Sequence, residues 1–520
     1  MRIRFRRRVV GFVVAGLILI GCVISTTTSA FRFAIPSEVA RGGVTHVESA
    51  FRAHMRDGSL VAYPRGATIG NGRIDGTGTR IDITRTKSVP ATIVPLDSVL
   101  GLEIFERHVN PGRTAIYLPL SMVVSNAATV ALLIAIFGSC PTIYADSAGV
   151  QVLQAESFSY SVAPLLAKRD VDRLDVTPDA NGVIRLDVRN EALETHYIDQ
   201  LELLEVRHAA DELVVPAPRG TPVALRHVIA ATTAHDRTGR DVRRLVANAD
   251  ESVFATVDSV LASAGHGGPT EDYLELSVPR VAGRDSLAVV LRARSSLLST
   301  EVLYDYMLGR PGPRALDWMS SDLSRITTLA RLATWYTDNF GLRVSVWDGS
   351  QWRQVVRLMD FGPVAWRRVA AVVPAFGRDS VRIRLSFAAD EFRIDQANVS
   401  WDVRRTDPRT IAVHRVTVPD SGEVNGAAVA LRTAGDRPLV TYPGQRFFAE
   451  FDAGRSATPR TFFVAASGYY TEWARPKWIE GHDGATFGSG ATTIQDVLRT
   501  WAMVKDSLER RFFTARVPVL

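Results

Sequence analysis

A chain of 520 residues with 46% apolar and 22% charged positions has the composition of globular domains rather than of a disordered polymer, and its length accommodates two to four of them. The formal net charge of +6 comes largely from five arginines in the opening MRIRFRRR, so no basic face of the kind that reads nucleic acid is expected in the folded part. Two cysteines, Cys22 and Cys140, exclude a disulfide framework and any Cys-rich zinc or iron–sulfur centre.

Residues 1–22 read as a signal peptide with a lipobox. The basic start is followed by an uninterrupted apolar stretch, Val9 to Ile24, whose length suits an export signal better than a full membrane span of about 20 residues. Leu19-Ile20-Gly21-Cys22 resembles the lipobox of bacterial lipoproteins. Small residues before the cut admit the peptidase, and the Cys22 thiol accepts the acyl groups that hold such proteins to lipid. Two other readings stay open: an uncleaved signal anchor, and cleavage after Ala30 at the small-x-small site Thr28-Ser29-Ala30. Residues 23–43, beginning STTTSA after Ile24, are expected to be a tether.

Residues 44–112 carry alternating apolar and polar positions between Gly- and Asn-rich turns, the pattern of a small β module; only Glu48–Met55 has a helical look. A transmembrane segment is expected at 115–138. No charge occurs between Arg113 and Asp146, and Ile116 to Phe137 is long enough to cross a bilayer. The alternative is a buried hairpin or core helix. The arginines at 107 and 113 favour a cytoplasmic side for the N-terminal flank, yet the MRIRFRRR end also favours the cytoplasm. Both preferences cannot hold if both segments span.

The rest predicts a mainly β chain. Residues 139–270 form one β-rich domain, with a turn at PDANG and more helical character over Arg240 to Ala264. Residues 271–410 predict a β-sandwich of jelly-roll kind, with a helical insertion at 300–340, where LDWMSSDLSRITTLARLATWYTDNF spaces its apolar residues by three and four. The phrase Trp347 to Pro363, with its two tryptophans, Asp-Gly turn and Gly-Pro turn, resembles galactose-binding-like sandwiches, a likeness of fold and not of function. Residues 411–520 add a C-terminal β region and a helix over Thr493 to Arg511.

Two short motifs carry a further resemblance. Cys140, Pro141 and Tyr144 form a CPxxY element; Gly468, Tyr469, Tyr470, Glu472 and Trp473 form a GYYxEW element. Together they resemble a group of uncharacterised bacterial envelope proteins, which implies architecture and no established activity. The chain departs from that pattern at Asp146-Ser147-Ala148-Gly149, where a tighter Asp-Gly turn is expected.

Chemical motifs are sparse. No Walker loop, nucleophile elbow or HExxH is present, and neither a catalytic set nor a metal or cofactor site is expected. His227, His235 and Asp236 are the nearest approach to a histidine cluster, read as exposed or turn residues. Asp390, Glu391 and Asp395 form an acidic group read as a solvated loop, with a carboxylate pair for acid–base work on glycan, or for calcium, as the alternative. Tyr469, Tyr470, Trp473 and Trp478, joined by Trp347 and Trp352, are candidates for ligand stacking, against the plainer reading of packing within the β-sandwich. The sequence therefore predicts a membrane-attached protein of the bacterial envelope. Its partners are expected to be membrane lipid and a protein or glycan, not nucleic acid. A binding or structural role leads, with a glycan-acting enzyme as the alternative.

Overall fold

The period-two pattern becomes strand almost throughout. The computed structural model describes residues 27–34, 43–48, 51–55, 60–81, 88–109, 141–147, 150–159, 161, 166–192, 194–302, 326–359, 361–419, 422–424, 426–432, 438–441, 445–472 and 493–514. Cys22, Cys140, the apolar segment 116–137, Trp473 and Trp478 lie outside the described residues. Two units are distinguished by their internal contacts, with described residues 27–109 in the first and 141–514 in the second.

The first unit is one antiparallel sheet. Its strands are β1 (Thr27–Ala34), β2 (Thr45–Val47), β3 (Phe51–Met55), β4 (Leu60–Tyr63), β5 (Ala67–Gly70), β6 (Arg73–Ile81), β7 (Ser88–Pro95) and β8 (Val99–Val109), in the order β1-β8-β3-β4-β6-β5-β2 with β7 on β6. The β module at 44–112 is therefore strand-built, as its alternation predicts. Two details differ. Part of the expected 23–43 tether is β1, which pairs with β8 from Thr27↔Val109 to Ala34↔Leu102. The stretch with a helical look contains β3, because Phe51, Ala53 and Met55 all enter the core and the Phe51 ring stacks on Tyr63 at 4.7 Å. Tertiary burial overrides the local signal there.

The second unit continues with β9 (Thr142–Ser147), β10 (Val150–Glu156), β11 (Lys168–Leu174), β12 (Val183–Arg189), β13 (Glu194–Arg207), β14 (Leu213–Pro216), β15 (Pro222–Arg226), β16 (Ile229–Ala230) and β17 (Thr233–Asp236). Short helices α1 (Arg243–Val246) and α2 (Asp258–Gly265) precede β18 (Glu271–Pro279) and β19 (Ser286–Ser295); α3 (Leu298–Glu301) and α4 (Ile326–Asn339) precede β20 (Leu342–Trp347). Then come β21 (Trp352–Leu358), β22 (Arg367–Pro374), β23 (Ser380–Ala388), β24 (Phe392–Ser400), β25 (Asp402–Arg405), β26 (Arg409–Ala412), β27 (Arg415–Val418) and β28 (Gly422–Glu423). The chain ends through α5 (Ala427–Arg432), β29 (Leu439–Thr441), β30 (Arg446–Asp452), β31 (Arg460–Glu472) and α6 (Ile494–Thr514).

Five sheets result, none closing into a barrel among the described residues: I is β10-β9-β12-β30-β27-β28, II is β11-β31-β13-β26 with β29 on β13, III is β14-β15-β25, IV is β16-β24-β19-β22, and V is β17-β18-β23-β20-β21. Alternation makes a stack of them. Val214 and Ala224 of sheet III pack on Leu204 and Phe463 of sheet II. Their neighbours Val215 and Leu225 face Ala288 and Val290 of sheet IV. On its other side, sheet IV gives Val289, Leu291 and Ile394 to the core it shares with Leu274, Val344 and Ile383 of sheet V. Each such aliphatic side chain contributes roughly 1.5–3 kcal/mol of burial. Sheet V ends the stack, with one face in the core and the other open.

The separate 139–270 and 411–520 regions expected from the sequence share sheets. Strand β30 pairs with β12, and β31 pairs with both β11 and β13. A C-terminal segment returns to complete sheets begun some 250 residues earlier. Within 271–410 the expected strands and a helix are present. Residues 303–325 of the insertion lie outside the described set.

Candidate binding face

The open face of sheet V is built by one hairpin and its neighbours. In Trp347-Asp348-Gly349-Ser350-Gln351-Trp352, Gly349 takes φ of 104°, which a side chain would resist. The Asp348 Oδ1 accepts the backbone N–H of Ser350 and of Gln351 at 2.8 and 2.9 Å. These bonds, with the Ser350 hydroxyl and Arg353, hold the Asp348 carboxyl well below the usual carboxylate range. So fixed, the turn sets Trp347 and Trp352 as direct cross-strand partners with ring centroids 5.5 Å apart.

The register extends the pair into rows across the strands. One row runs Thr233↔Ser277↔Arg382, and the Arg382 guanidinium carbon lies 5.4 Å from the Trp347 ring and 5.3 Å from that of Trp352. The next runs His235↔Glu275↔Arg384↔Ser345↔Gln354. The third runs Tyr273↔Ser386↔Arg343↔Arg357. Arg384 lies 4.2 Å from both the Tyr273 and the Trp352 ring centroids. Glu275 joins the first two rows: its Oε1 accepts Nε and Nη2 of Arg382 at 2.9 and 2.5 Å, and its Oε2 accepts Nη2 of Arg384 at 3.1 Å. Both indoles and Tyr273 are half-exposed. Solvated sheet faces are ordinarily polar. Here rings and guanidinium groups extend from the central strand β23 to the β20–β21 hairpin.

The sequence singles out Trp347, Trp352 and His235 but not Tyr273, Glu275, Arg382 or Arg384. The alternation of DYLELSVPR and SVRIRLSFA does place those four on one face. Which neighbours they meet depends on β18 pairing with β23, about a hundred residues away.

The acidic group at 390–395 is not a solvated loop. Asp390, Glu391 and Asp395 are all buried, at 1%, 2% and 0% exposure, and each has partners, as a buried carboxylate requires. Asp390, in a left-handed conformation with φ of 65°, accepts Arg393 Nη1 at 2.7 Å and the Trp501 indole N–H at 2.8 Å. Its backbone N–H donates to the Thr256 hydroxyl, which donates in turn to Asp272 at 2.6 Å. Glu391 accepts the N–H of Gly341 and of Ala388 at 2.6 and 3.0 Å. Loss of water pushes its pKa up to about 7 despite those bonds. Asp395 accepts the N–H of Glu251 and pairs with Arg292.

The other aromatic candidates sit in sheet II. Tyr470 is fully buried and donates its hydroxyl to the Ser159 carbonyl at 3.1 Å, so it has no free face for a ligand. Tyr469 stacks on Tyr197 with centroids 4.6 Å apart, and burial raises its pKa. The glycine of the GYYxEW element has a steric reason: a Cβ on Gly468 would stand 2.3 Å from the Tyr197 carbonyl oxygen. Opposite this element lies a fully buried pair, His196 Nε2 and Glu194 Oε1, 2.6 Å apart. In the CPxxY element, Tyr144 donates its hydroxyl to Glu191 at 2.8 Å. His227 and His235 are exposed, as expected, and His227 Nδ1 lies 2.8 Å from Asp402 Oδ2.

Among the described residues, no cluster of three or more His, Cys, Asp or Glu side chains is placed to hold a metal ion, and no helix is long and apolar enough to cross a membrane. No protein-family model matches the chain, nor does any curated protein. A solved structure of a GH31 alpha-xylosidase from Xanthomonas citri aligns at 7% identity over 84% of this chain and 38% of that one, with a TM-score of 0.15. A cycloalternan-forming enzyme from Listeria monocytogenes, in complex with a pentasaccharide substrate, aligns at 11% identity over 67% of this chain and 30% of that one, also at 0.15. This chain thus spans about a third of the length of either, and a score of 0.15 does not establish a shared fold.

Proposed function

We propose that this chain is a membrane-attached protein of the bacterial envelope that binds saccharide without catalysing a reaction on it. On this reading sheets IV and V are a galactose-binding-like sandwich, and the open face of sheet V is the binding surface. One observation carries the proposal: Trp347, Trp352 and Tyr273 lie half-exposed on that face, interleaved with arginines. Such rings offer large, rigid contact area with little rotamer entropy to lose. Five strands about 4.8 Å apart give the rows a span of roughly 19 Å, enough for several sugar rings in line. Attachment rests on the lipobox ending at Cys22, with segment 116–137 as a second hold. The glycan-enzyme alternative loses support, because Asp390, Glu391 and Asp395 are committed to backbone and arginine partners inside the fold.

Affinity electrophoresis of the full chain through gels containing polysaccharides tests the reading. Retardation by at least one polysaccharide is expected, lost in the Trp347→Ala/Trp352→Ala variant at unchanged circular dichroism. Mobility unaffected by every polysaccharide tried would sink it.

A further inference from the structure

We infer that the ligand of this face is an anionic saccharide, whose carboxylate or phosphate groups are taken by Arg382 and Arg384. This rests on the saccharide reading above and adds the chemical class.

Charge on this face is mismatched. The open face carries four guanidinium groups, those of Arg343, Arg357, Arg382 and Arg384, in the register described. Among the described residues, the register places two carboxylates on it, Glu271 and Glu275, while Asp338 and Glu391 act on Arg357 from neighbouring elements. Glu271 pairs with Arg343 at 2.8 Å. Glu275 is divided between Arg382 and Arg384. Arg357 donates to the Thr337 carbonyl. A single carboxylate divided between two arginines leaves both short of the bidentate pairing that a guanidinium fork favours. Positive charge is in excess at one place.

The geometry favours an anion on a sugar over an anion on a peptide. The Arg384 guanidinium carbon lies 4.2 Å from the centroids of two rings, Tyr273 and Trp352, so its position is set before any ligand arrives and less side-chain entropy remains to be lost. Extended peptides are usually captured by adding to a strand edge or by filling pockets for alternate side chains. The surplus here lies in mid-sheet, on β23 between β18 and β20, where no strand edge is open. Rings interleaved with guanidinium groups match a chain of rings bearing acid groups. A neutral glycan would leave the surplus unanswered.

The test uses the full chain and a matched pair of polymers: polygalacturonate, and the same polymer with its carboxyls methyl-esterified. Poly-glutamate supplies charge without rings. Polygalacturonate is expected to bind at least tenfold more tightly than the ester, with affinity falling as salt rises. Arg384→Gln and Arg382→Gln should each weaken the acid form about tenfold and leave the ester unchanged; Trp347→Ala should weaken both. Equal, salt-insensitive binding of acid and ester would overturn the anionic inference while leaving the saccharide reading standing. Binding of poly-glutamate as tight as that of polygalacturonate would overturn it in favour of an acidic peptide. Failure of both polysaccharides, with circular dichroism showing a folded chain, would count against the saccharide reading itself.

Discussion

Trp501 donates its indole N–H to the Asp390 carboxylate at 2.8 Å, across 111 residues of sequence. The bond ties α6 to the turn between β23 and β24, and neighbouring contacts share the task. Arg393 reaches Glu509 at 3.1 Å, Lys505 reaches Asp258 at 2.7 Å, and Arg499 donates to the Gly265 carbonyl at 2.9 Å. The docking is close: a Cβ on Gly265 would come within 2.9 Å of the Arg499 backbone.

Trp501→Phe keeps most of the buried ring and removes only the donor. Asp390 retains Arg393 but loses one bond to a buried charged oxygen, which costs about 1–3 kcal/mol. Urea denaturation should register that loss, and hydrogen exchange should show protection falling over 494–514 before it falls in sheet V. A change below about 0.5 kcal/mol would mean that the helix is held by its other contacts alone.

Glu391 gives the fold a pH dependence with a definite sign. Its pKa is raised from 4.5 to about 7, chiefly by burial. Between those values the folded state keeps a proton that the unfolded chain has released. Stability is therefore greatest below about pH 4.5 as far as this group is concerned, and it falls as pH rises towards 7. A shift of that size corresponds to about 3 kcal/mol at most. Glu391→Gln should lower stability most at low pH, because its amide accepts only one of the two N–H bonds, and the deficit against wild type should shrink as pH rises towards 7. The substitution should also remove this part of the slope. Parallel stability curves for the two proteins between pH 5 and 8 would refute the assignment.

These two residues also mark where the sequence stops being legible. Strand β18 could be read directly, since Leu274, Leu276 and Val278 alternate with Tyr273, Glu275 and Ser277 and the buried set lies on one side. The Asp-Gly turn between Trp347 and Trp352 could be read as well, because it needs a residue tolerant of positive φ. The start of α6 carried its own signal: Thr493 and Asp496 cap each other, with the Thr493 hydroxyl 2.7 Å from the Asp496 carboxylate. Burial of Asp390, Glu391 and Asp395 had no such local mark. Its cause is the arrival of Trp501, Gly341, Arg292 and the Glu251 backbone from four distant places. The return of β30 and β31 to sheets I and II was hidden for the same reason. Alternation says that a strand has a buried face, not which strand lies beside it. The arginine and tyrosine partners of the tryptophans were likewise fixed by pairing rather than by spacing.

Membrane attachment through Cys22 predicts a chemical label. Cells grown with radioactive palmitate should label the wild-type chain and not Cys22→Ala. If the variant loses the label and also leaves the membrane fraction, the acyl groups are the whole anchor. If it loses the label but stays, an apolar segment supplies the second hold, either the uncleaved Val9 to Ile24 or segment 116–137. Equal labelling of both proteins would remove Cys22 as the site of lipid attachment.

The pair formed by Glu194 and His196 should behave as a unit. Both residues are fully buried, one Glu194 oxygen and the His196 Nδ1 have no hydrogen-bond partner among the described residues, and the two side chains meet at 2.6 Å. Removing one member strands the other in a water-free place, which costs about 3–5 kcal/mol for a buried ion pair and less if both are neutral. Removing both costs much less, because the atoms without partners disappear along with the bond. Glu194→Ala and His196→Ala should each be strongly destabilising. Glu194→Leu/His196→Leu, which restores apolar volume, should be more stable than either single variant. Tyr470 lies opposite His196 in the β31 register, so the near-ultraviolet circular dichroism of the double variant reports whether packing there survives. Urea midpoints that simply add from the single variants to the double would show that the two side chains are not coupled.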